Sequence, residues 1–421
     1  MDKIIADSNI KKSLSAGKPA VGSPEWRMLI ATARLELDDA SKSEIIQVAG
    51  LDVDWSMLMH LSAVNGTAGL MFRHLSALSR QIDVPAEVIS ELGTIYLRIT
   101  ASSLQQMAQF KKVAGKSREA GVEMIVLKGA VLSESIYGDA GLRPMSDVDI
   151  LIREADWLKV CEVLKLYKYT AHGQDFGSLP PRLTQYDIQT HLQFLSPVET
   201  CLEYQFDLFT IGIGMLDMPG VWKRSIEAEV GGEKVRVPGT EDQLLHLIIH
   251  ANRHGCSRLK WLVDIAESLR QSTEVDWDLF VEIARREKVV AIIYMTIKHI
   301  EHLLGPGLVP QHIMDRITPR GYQRMVWNYL WPQEKLDGLD GRYEDGICYY
   351  FYKPLSGWNL LNFILMGRIR DKLCYQARWI APSLDWMAEY YGERKSIRLL
   401  RLYPVRMADR MRKDRAEKQR R

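Results

Sequence analysis

The chain has 421 residues, 47% apolar and 26% charged, a globular composition long enough for about two to four domains. That composition excludes a predominantly disordered chain, and 29 glycines and 16 prolines without a period exclude a collagen-like one. The 55 basic and 53 acidic residues leave a net charge of +2, so no overall field draws in or repels nucleic acid.

In chain order, residues 1–22 read as a flexible N-terminus without the sustained apolar run of a secretory signal. Residues 23–105 form an N-terminal helical region, and apolar residues recur at three- and four-residue spacing to about residue 120. Within it, Asp54 followed by Trp55 has an echo at Asp276 followed by Trp277. Each aspartate suits the cap of a helix whose next residue is tryptophan. The pair reads either as a repeated helical hairpin or as two unrelated helices with the same cap.

Residues 106–238 change character. VEMIVL (122–127) is a short apolar run rich in branched residues, consistent with a buried strand. Lys128 and Gly129 end it, and 130–137 reads as a helix. DVDILI (147–152) alternates acid and apolar residues, so it is a strand with both aspartates on one face. Residues 156–167 form an amphipathic helix, and 191–195 and 202–208 two further strands. Interleaved strands and helices indicate a small α/β domain.

Residues 239–400 return to helix. Thr240 and Gln243 suit a capping box, with Glu241 and Asp242 in the first turn. The fold class is therefore α+β, mostly α: a small α/β domain flanked by helical regions. Residues 401–421 carry nine Lys or Arg against three acids, a basic tail that reads as a solvated frayed helix or as a contact for an acidic partner. Five widely spaced cysteines fit neither a disulfide framework nor a zinc site and point to reduced thiols, hence a cytoplasmic protein. No stretch reaches the roughly 20 apolar residues that a membrane span needs.

Chemistry concentrates at Ser146, Asp147 and Asp149. Two carboxylates at i and i+2 on a strand repel unless a cation lies between them, and Mg²⁺ suits a few carboxylates plus phosphate oxygens. Upstream, Lys128 and Gly129 lie at a strand-to-helix junction whose backbone N–H groups can meet a phosphate. Arg143 is placed to reach the same anion. Downstream, the spacing of Glu203, Gln205 and Asp207 puts all three on one strand face, and either acid can supply a third carboxylate.

The order VLKGAVLSESIYGDAGLRPMSDVDILI (126–152), LEYQF (202–206) and TEDQLLHLIIHANRHGCSRLKWLVDIAESL (240–269) resembles the bacterial uncharacterised nucleotidyltransferase family, within the superfamily related to DNA polymerase β. The resemblance covers most of residues 25–310. It implies a metal-dependent nucleotidyltransferase that moves a nucleoside monophosphate from an NTP to a hydroxyl or phosphate acceptor, releasing pyrophosphate. Alternatives are transfer of a sugar-phosphate or phosphoryl unit to a peptide or polysaccharide precursor, and a non-catalytic nucleotide-binding module. By the same resemblance, Asp147, Asp149 and Glu203 are the catalytic and metal-binding carboxylates for Mg²⁺ or Mn²⁺, and Lys128, Gly129, Arg143 and Ser146 contact the nucleotide. Asp207 remains an alternative third carboxylate. Two positions depart from the pattern: Ala130 stands at the superfamily's serine, and Gln205 where the narrower family usually has histidine.

Other residues read more plainly. His246, His250 and His254 line one helix face, as core, capping or hydrogen-bonding histidines rather than metal ligands. Asn252, Arg253 and Arg258 read first as surface groups, Asp264 as an exposed or capping acid. His191 lies on the strand before Glu203. The aromatic stretch with Trp358, Trp379, Trp386 and Tyr390 reads as packing. No P-loop, Rossmann or Ser-His-Asp pattern is present.

Overall fold

The computed structural model describes residues 22–171, 191–208, 217–253, 256, 258–272, 274–325, 381, 384, 387–388, 396–406 and 408. The expected flexible N-terminus, almost all of the aromatic stretch and most of the basic tail lie outside the described residues.

Five helices open the described chain: α1 (Pro24–Ala31), α2 (Asp39–Ala49), α3 (Trp55–Asn65), α4 (Ala68–Leu78) and the 34-residue α5 (Ala86–Glu119). Their starts follow capping chemistry. The side chains of Ser23, Asp38 and Asp54 accept from the backbone N–H of Trp26, Ser41 and Met57, satisfying donors that the first turn leaves without partners. Helix α5 buries Leu92, Ile99, Gln106, Phe110, Val113 and Ser117, a stripe at helical spacing.

The α/β part follows, with β1 (Met124–Leu127), α6 (Lys128–Leu132) running into a π-helical turn (Ser133–Tyr137), β2 (Asp147–Ile152), α7 (Trp157–Leu166), β3 (Thr170–Ala171), β4 (His191–Leu195), β5 (Cys201–Gln205), α8 (Met218–Arg224), β6 (Ile226–Val230) and β7 (Glu233–Val237). One mixed sheet takes the order β3-β4-β5-β2-β1-β7-β6. β1 runs antiparallel to β2, and β2 parallel to β5. The expected strand 202–208 spans Cys201–Gln205 instead. The β6–β7 hairpin was not expected, although Gly231 and Gly232, at φ 62° and 75°, sit between two alternating runs as a two-residue hairpin requires.

The two-residue strand period separates two cores. Val148, Ile150 and Ile152 of β2 join Val126, Phe194, Leu202 and Tyr204 under α5 and α7. Leu151 joins Ile125 and Leu127 on the opposite face, toward the helices. Asp147, Asp149 and Glu203 share that second face by alternation.

The C-terminal helices are α9 (Thr240–Arg253), α10 (Leu259–Gln271), α11 (Trp277–Arg286), α12 (Val290–Leu304) and α13 (Gln311–Ile317). Thr240, which the sequence suggested as the cap, is already the first residue of α9. These helices share a single core with α1–α4, from Trp26 to Ile317. The echo around Asp54 and Asp276 is local as well as sequential. Asp276 accepts from the Leu279 N–H as Asp54 does from Met57. Each aspartate's own N–H donates at 2.8 Å to a glutamate in the first turn of another helix, Glu25 for Asp54 and Glu241 for Asp276. A shared cap with a shared outside partner favours the repeated-unit reading.

His299 of α12 is buried, and burial, with His302 beside it, lowers its pKa to about 3. The unfolded chain binds this proton near pH 6.5 and the folded one does not. Stability is therefore expected to fall as pH drops from about 6.5 toward 3, by up to ~1.4 kcal/mol per pH unit from this group. Denaturant titrations at pH 4.5 and 6.5 test this: the difference should shrink in His299→Asn, and an unchanged difference sinks it.

Candidate active site

The register of β2 and β5 builds the site. Asp149 pairs with Glu203 and Asp147 with Cys201, while Gln193 of β4 pairs with Glu203 from the other side. Cross-strand partners stand about 4.5–5.5 Å apart at Cβ on the same face. Asp149 and Glu203 are thus neighbours, with Asp147 one alternation along the strand. Asp149 and Glu203 are 5% and 8% exposed. Asp207 lies beyond the last paired residue of β5, so the register brings Glu203 opposite Asp149. Gln106 of α5 steadies this edge by exchanging two hydrogen bonds with the backbone of Cys201.

Each of the two buried carboxylates has a protein partner. Lys128 Nζ donates to Asp149 Oδ1 at 2.6 Å, and Gln193 Nε2 donates to Glu203 Oε2 at 2.9 Å. β1 ends at Leu127, opposite Asp149. Lys128 then takes φ 50°, a left-handed conformation that costs a non-glycine residue roughly 1–2 kcal/mol. That turn delivers its side chain onto Asp149. Burial pushes the Asp149 carboxyl up to about 7, opposed by Lys128 and reinforced by the charges of Asp147 and Glu203. Outside the buried pair, Ser146 Oγ donates to Asp147 Oδ1 at 3.1 Å.

Gly129 is required by close approach, though the group beside it is protein. A Cβ there would lie 2.4 Å from Arg143 Nη1. Arg143, expected to meet an anion, is 5% exposed and makes a bidentate pair with Asp264 of α10, Nε–Oδ1 at 2.8 Å and Nη2–Oδ2 at 2.7 Å. Tyr137 Oη donates to the same carboxylate at 2.8 Å. The reading of Asp264 as an exposed or capping acid is corrected: it is 1% exposed, and the guanidinium is what makes its burial tolerable.

Beside this pair lies Lys260, 7% exposed. Its Nζ donates to the Pro144 carbonyl at 3.2 Å. Burial lowers its pKa to about 8, as do the nearby charges of Arg143 and Arg258, against Asp264 and Asp147. Sequence reasoning did not single out Lys260, yet a signal was present. In LKWLVDIAESL a lysine and an aspartate stand four apart on a helix whose neighbours are apolar, the spacing of a charged pair drawn inward.

A model of the uncharacterised nucleotidyltransferase family matches residues 52–305, more than half of the chain. The chain belongs to this uncharacterised nucleotidyltransferase family. No curated protein and no solved structure matches it. The family segment takes in the sheet with its carboxylates and the helix that carries Lys260 and Asp264.

Within this member of the family, the remaining candidates separate. Ala130 is 0% exposed and packs in the core beneath the sheet, so the position where the resemblance implied a serine offers no hydroxyl. Gln205 is 0% exposed, and neither of its amide atoms has a hydrogen-bond partner among the described residues. His191 pairs with Gln205 across the strands. His246 and His250 stack edge to face at 6.5 Å, and His250 on Trp261 at 5.4 Å, an aromatic packing role. His254 lies outside the described residues. Arg258 sits over the Trp261 ring at 5.8 Å.

The donor set Asp147, Asp149 and Glu203 suits Mg²⁺ in chemistry, since all are hard oxygen ligands, and their mutual repulsion raises Asp149. As the side chains stand, no group of three His, Cys, Asp or Glu among the described residues lies close enough to hold an ion. Lys128 holds the Asp149 oxygen, so an ion binding there must displace an ammonium. No helix among the described residues is long and apolar enough to cross a membrane.

Proposed function

We propose that this protein transfers a nucleoside monophosphate from an NTP to a hydroxyl or phosphate acceptor, with pyrophosphate as the leaving group, and that Mg²⁺ or Mn²⁺ is required. One observation carries the reading: Asp149 stands opposite Glu203, with Asp147 on the same face, beside the Lys128–Gly129 turn. Asp147, Asp149 and Glu203 would hold the metal. Such ions neutralise phosphate charge and stabilise the entering and leaving oxygens of an in-line displacement. Lys128 balances Asp149 before loading and is the nearest cation to a triphosphate afterwards. Gln193 orients the Glu203 carboxylate, which accepts the proton of the acceptor hydroxyl. Ser146, exposed beside Asp147, and the backbone at Gly129 are the polar contacts for phosphate.

The test is direct. Each of the four NTPs is incubated with Mg²⁺, the protein and a heat-treated cell extract as the source of acceptors. Pyrophosphate and a labelled acceptor are expected with at least one NTP; none with any NTP overturns the reading. A second reading is favoured by the partners already seated on Asp149 and Glu203: a nucleotide-binding module in which Lys128 replaces the metal. It predicts metal-independent NTP binding without pyrophosphate release.

Metal affinity should depend on pH through Asp149. Its folded pKa of about 7 lies above that of an exposed carboxyl, so the ion-free protein loses stability as pH rises from about 4 to 7. Mg²⁺ needs the carboxylate and releases its proton. Its affinity should therefore rise by up to ~10-fold between pH 6 and 7 and level off above. Calorimetry in two buffers of different ionisation heat reads the proton release. A pH-independent affinity sinks the assignment.

A further inference from the structure

We infer that Arg143 is a positioning residue, which through Asp264 clamps the segment entering β2 onto helix α10 and so sets the aim of the Asp147–Asp149 face. The inference rests on the nucleotidyltransferase reading and adds a role for Arg143 and Asp264, neither of which is assigned a substrate contact.

Arg143 precedes Asp147 by four positions, and residues 141–145 between the π turn and β2 are all buried. Nothing in their local sequence forms a helix or a strand, so tertiary contacts must hold them. Gly141 packs against Gly69 of α4 and against Tyr96 and Thr100 of α5, and the polar side-chain contacts to Arg143 and Pro144 come from α10. Asp264 takes Arg143 in a two-point fork, a geometry that fixes orientation as well as distance. Tyr137, at the start of the same loop, donates to that carboxylate, so both ends of the loop converge on one side chain. Lys260, one turn back along α10, donates to the Pro144 carbonyl. On the far side of Arg143 the missing Cβ of Gly129 makes room for the guanidinium. The Lys128–Gly129 turn lies against Nη1 of the same arginine whose Nε and Nη2 are held by α10. An arginine that is 5% exposed has the edge formed by Nε and Nη2 committed to a buried acid. Its removal should disturb the register of turn and strand rather than delete a nucleotide contact.

The test uses the full chain with Tyr137→Phe and Arg143→Lys, and Asp264→Asn if it folds. Three quantities are read: affinity for ATP with Mg²⁺, pyrophosphate release at saturating ATP, and hydrogen exchange of amides 142–148. The expected result is ATP affinity within about threefold of the unaltered chain, release slowed at least tenfold in Arg143→Lys, and amide exchange accelerated at least tenfold in that segment while exchange in α12 stays the same. The milder Tyr137→Phe, which removes one hydrogen bond, should shift both readouts in the same direction by less. Affinity falling in step with release makes Arg143 a nucleotide ligand and overturns the inference. Unchanged exchange and release in folded variants reduces the pair to packing and overturns it too. If the unaltered chain releases no pyrophosphate from any NTP, the nucleotidyltransferase reading fails, while local exchange still decides whether Arg143 holds the loop.

Discussion

Asp149→Ala is expected to lower pyrophosphate release by roughly 10³-fold or more, the equivalent of about 4 kcal/mol of barrier, a size ordinary for loss of a group that holds a catalytic ion. The same substitution should destabilise the ion-free protein, for a separate reason. Lys128 is 8% exposed and its Nζ lies 2.6 Å from Asp149. Removing the acid leaves a buried ammonium without its counter-charge, which costs about 3–5 kcal/mol in comparable pairs. The two consequences separate in a double variant. Lys128→Met with Asp149→Leu replaces both charges by apolar groups, a change that is often neutral or stabilising for a buried pair. The double variant should recover most of the lost stability and none of the activity. Denaturant midpoints give the first quantity and pyrophosphate release the second. Recovery of activity along with stability would show that Asp149 serves only to neutralise Lys128.

Lys260→Met is expected to raise stability and lower activity. Its folded pKa of about 8 lies below the 10.5 of a free lysine, so burial works against the charged form. The sign follows by linkage. Between pH 8 and 10.5 the unfolded chain holds the proton that the folded chain lacks, so stability climbs with pH through that window, and the full penalty remains below pH 8. At pH 7 that penalty is about 3 kcal/mol. Methionine removes it and loses a hydrogen bond to the Pro144 carbonyl worth about 1 kcal/mol, leaving a net gain of roughly 2 kcal/mol. The Lys260 Nζ is engaged by the Pro144 carbonyl, so the cation holds the segment that leads into β2, and residues kept against stability cluster at functional sites. Pyrophosphate release in Lys260→Met should fall about tenfold, as expected when a supporting contact is lost and the carboxylates are misplaced, with ATP affinity within about threefold. A more stable variant with unchanged turnover would remove Lys260 from the site.

How far the sequence was legible depends on the range of the forces involved. DVDILI forms the strand Asp147–Ile152 because a two-residue alternation is complete within six residues and needs no distant partner. The turn at Lys128 and Gly129 was visible for the same reason, as were the two aspartate caps. The β6–β7 hairpin carried an equally local signal, in its paired glycines and in the alternation of charged and apolar residues on either side. Glu203 is a middle case: its strand and face were legible, but its standing opposite Asp149 rather than yielding to Asp207 is a matter of register between strands that are not adjacent in the chain.

By itself the sequence determined most of the elements and their order, the acidic face of β2 and membership of a nucleotidyltransferase family. Only the tertiary structure decided which charge answers which. Arg143 and Asp264 lie 121 residues apart, and no local pattern tells an arginine held by a buried acid from one open to phosphate. Lys260 and Gly129 likewise acquire their meaning from what is packed against them. Buried charges must find partners wherever the fold brings opposite charges together, and that meeting is settled by three-dimensional packing rather than by spacing along the chain.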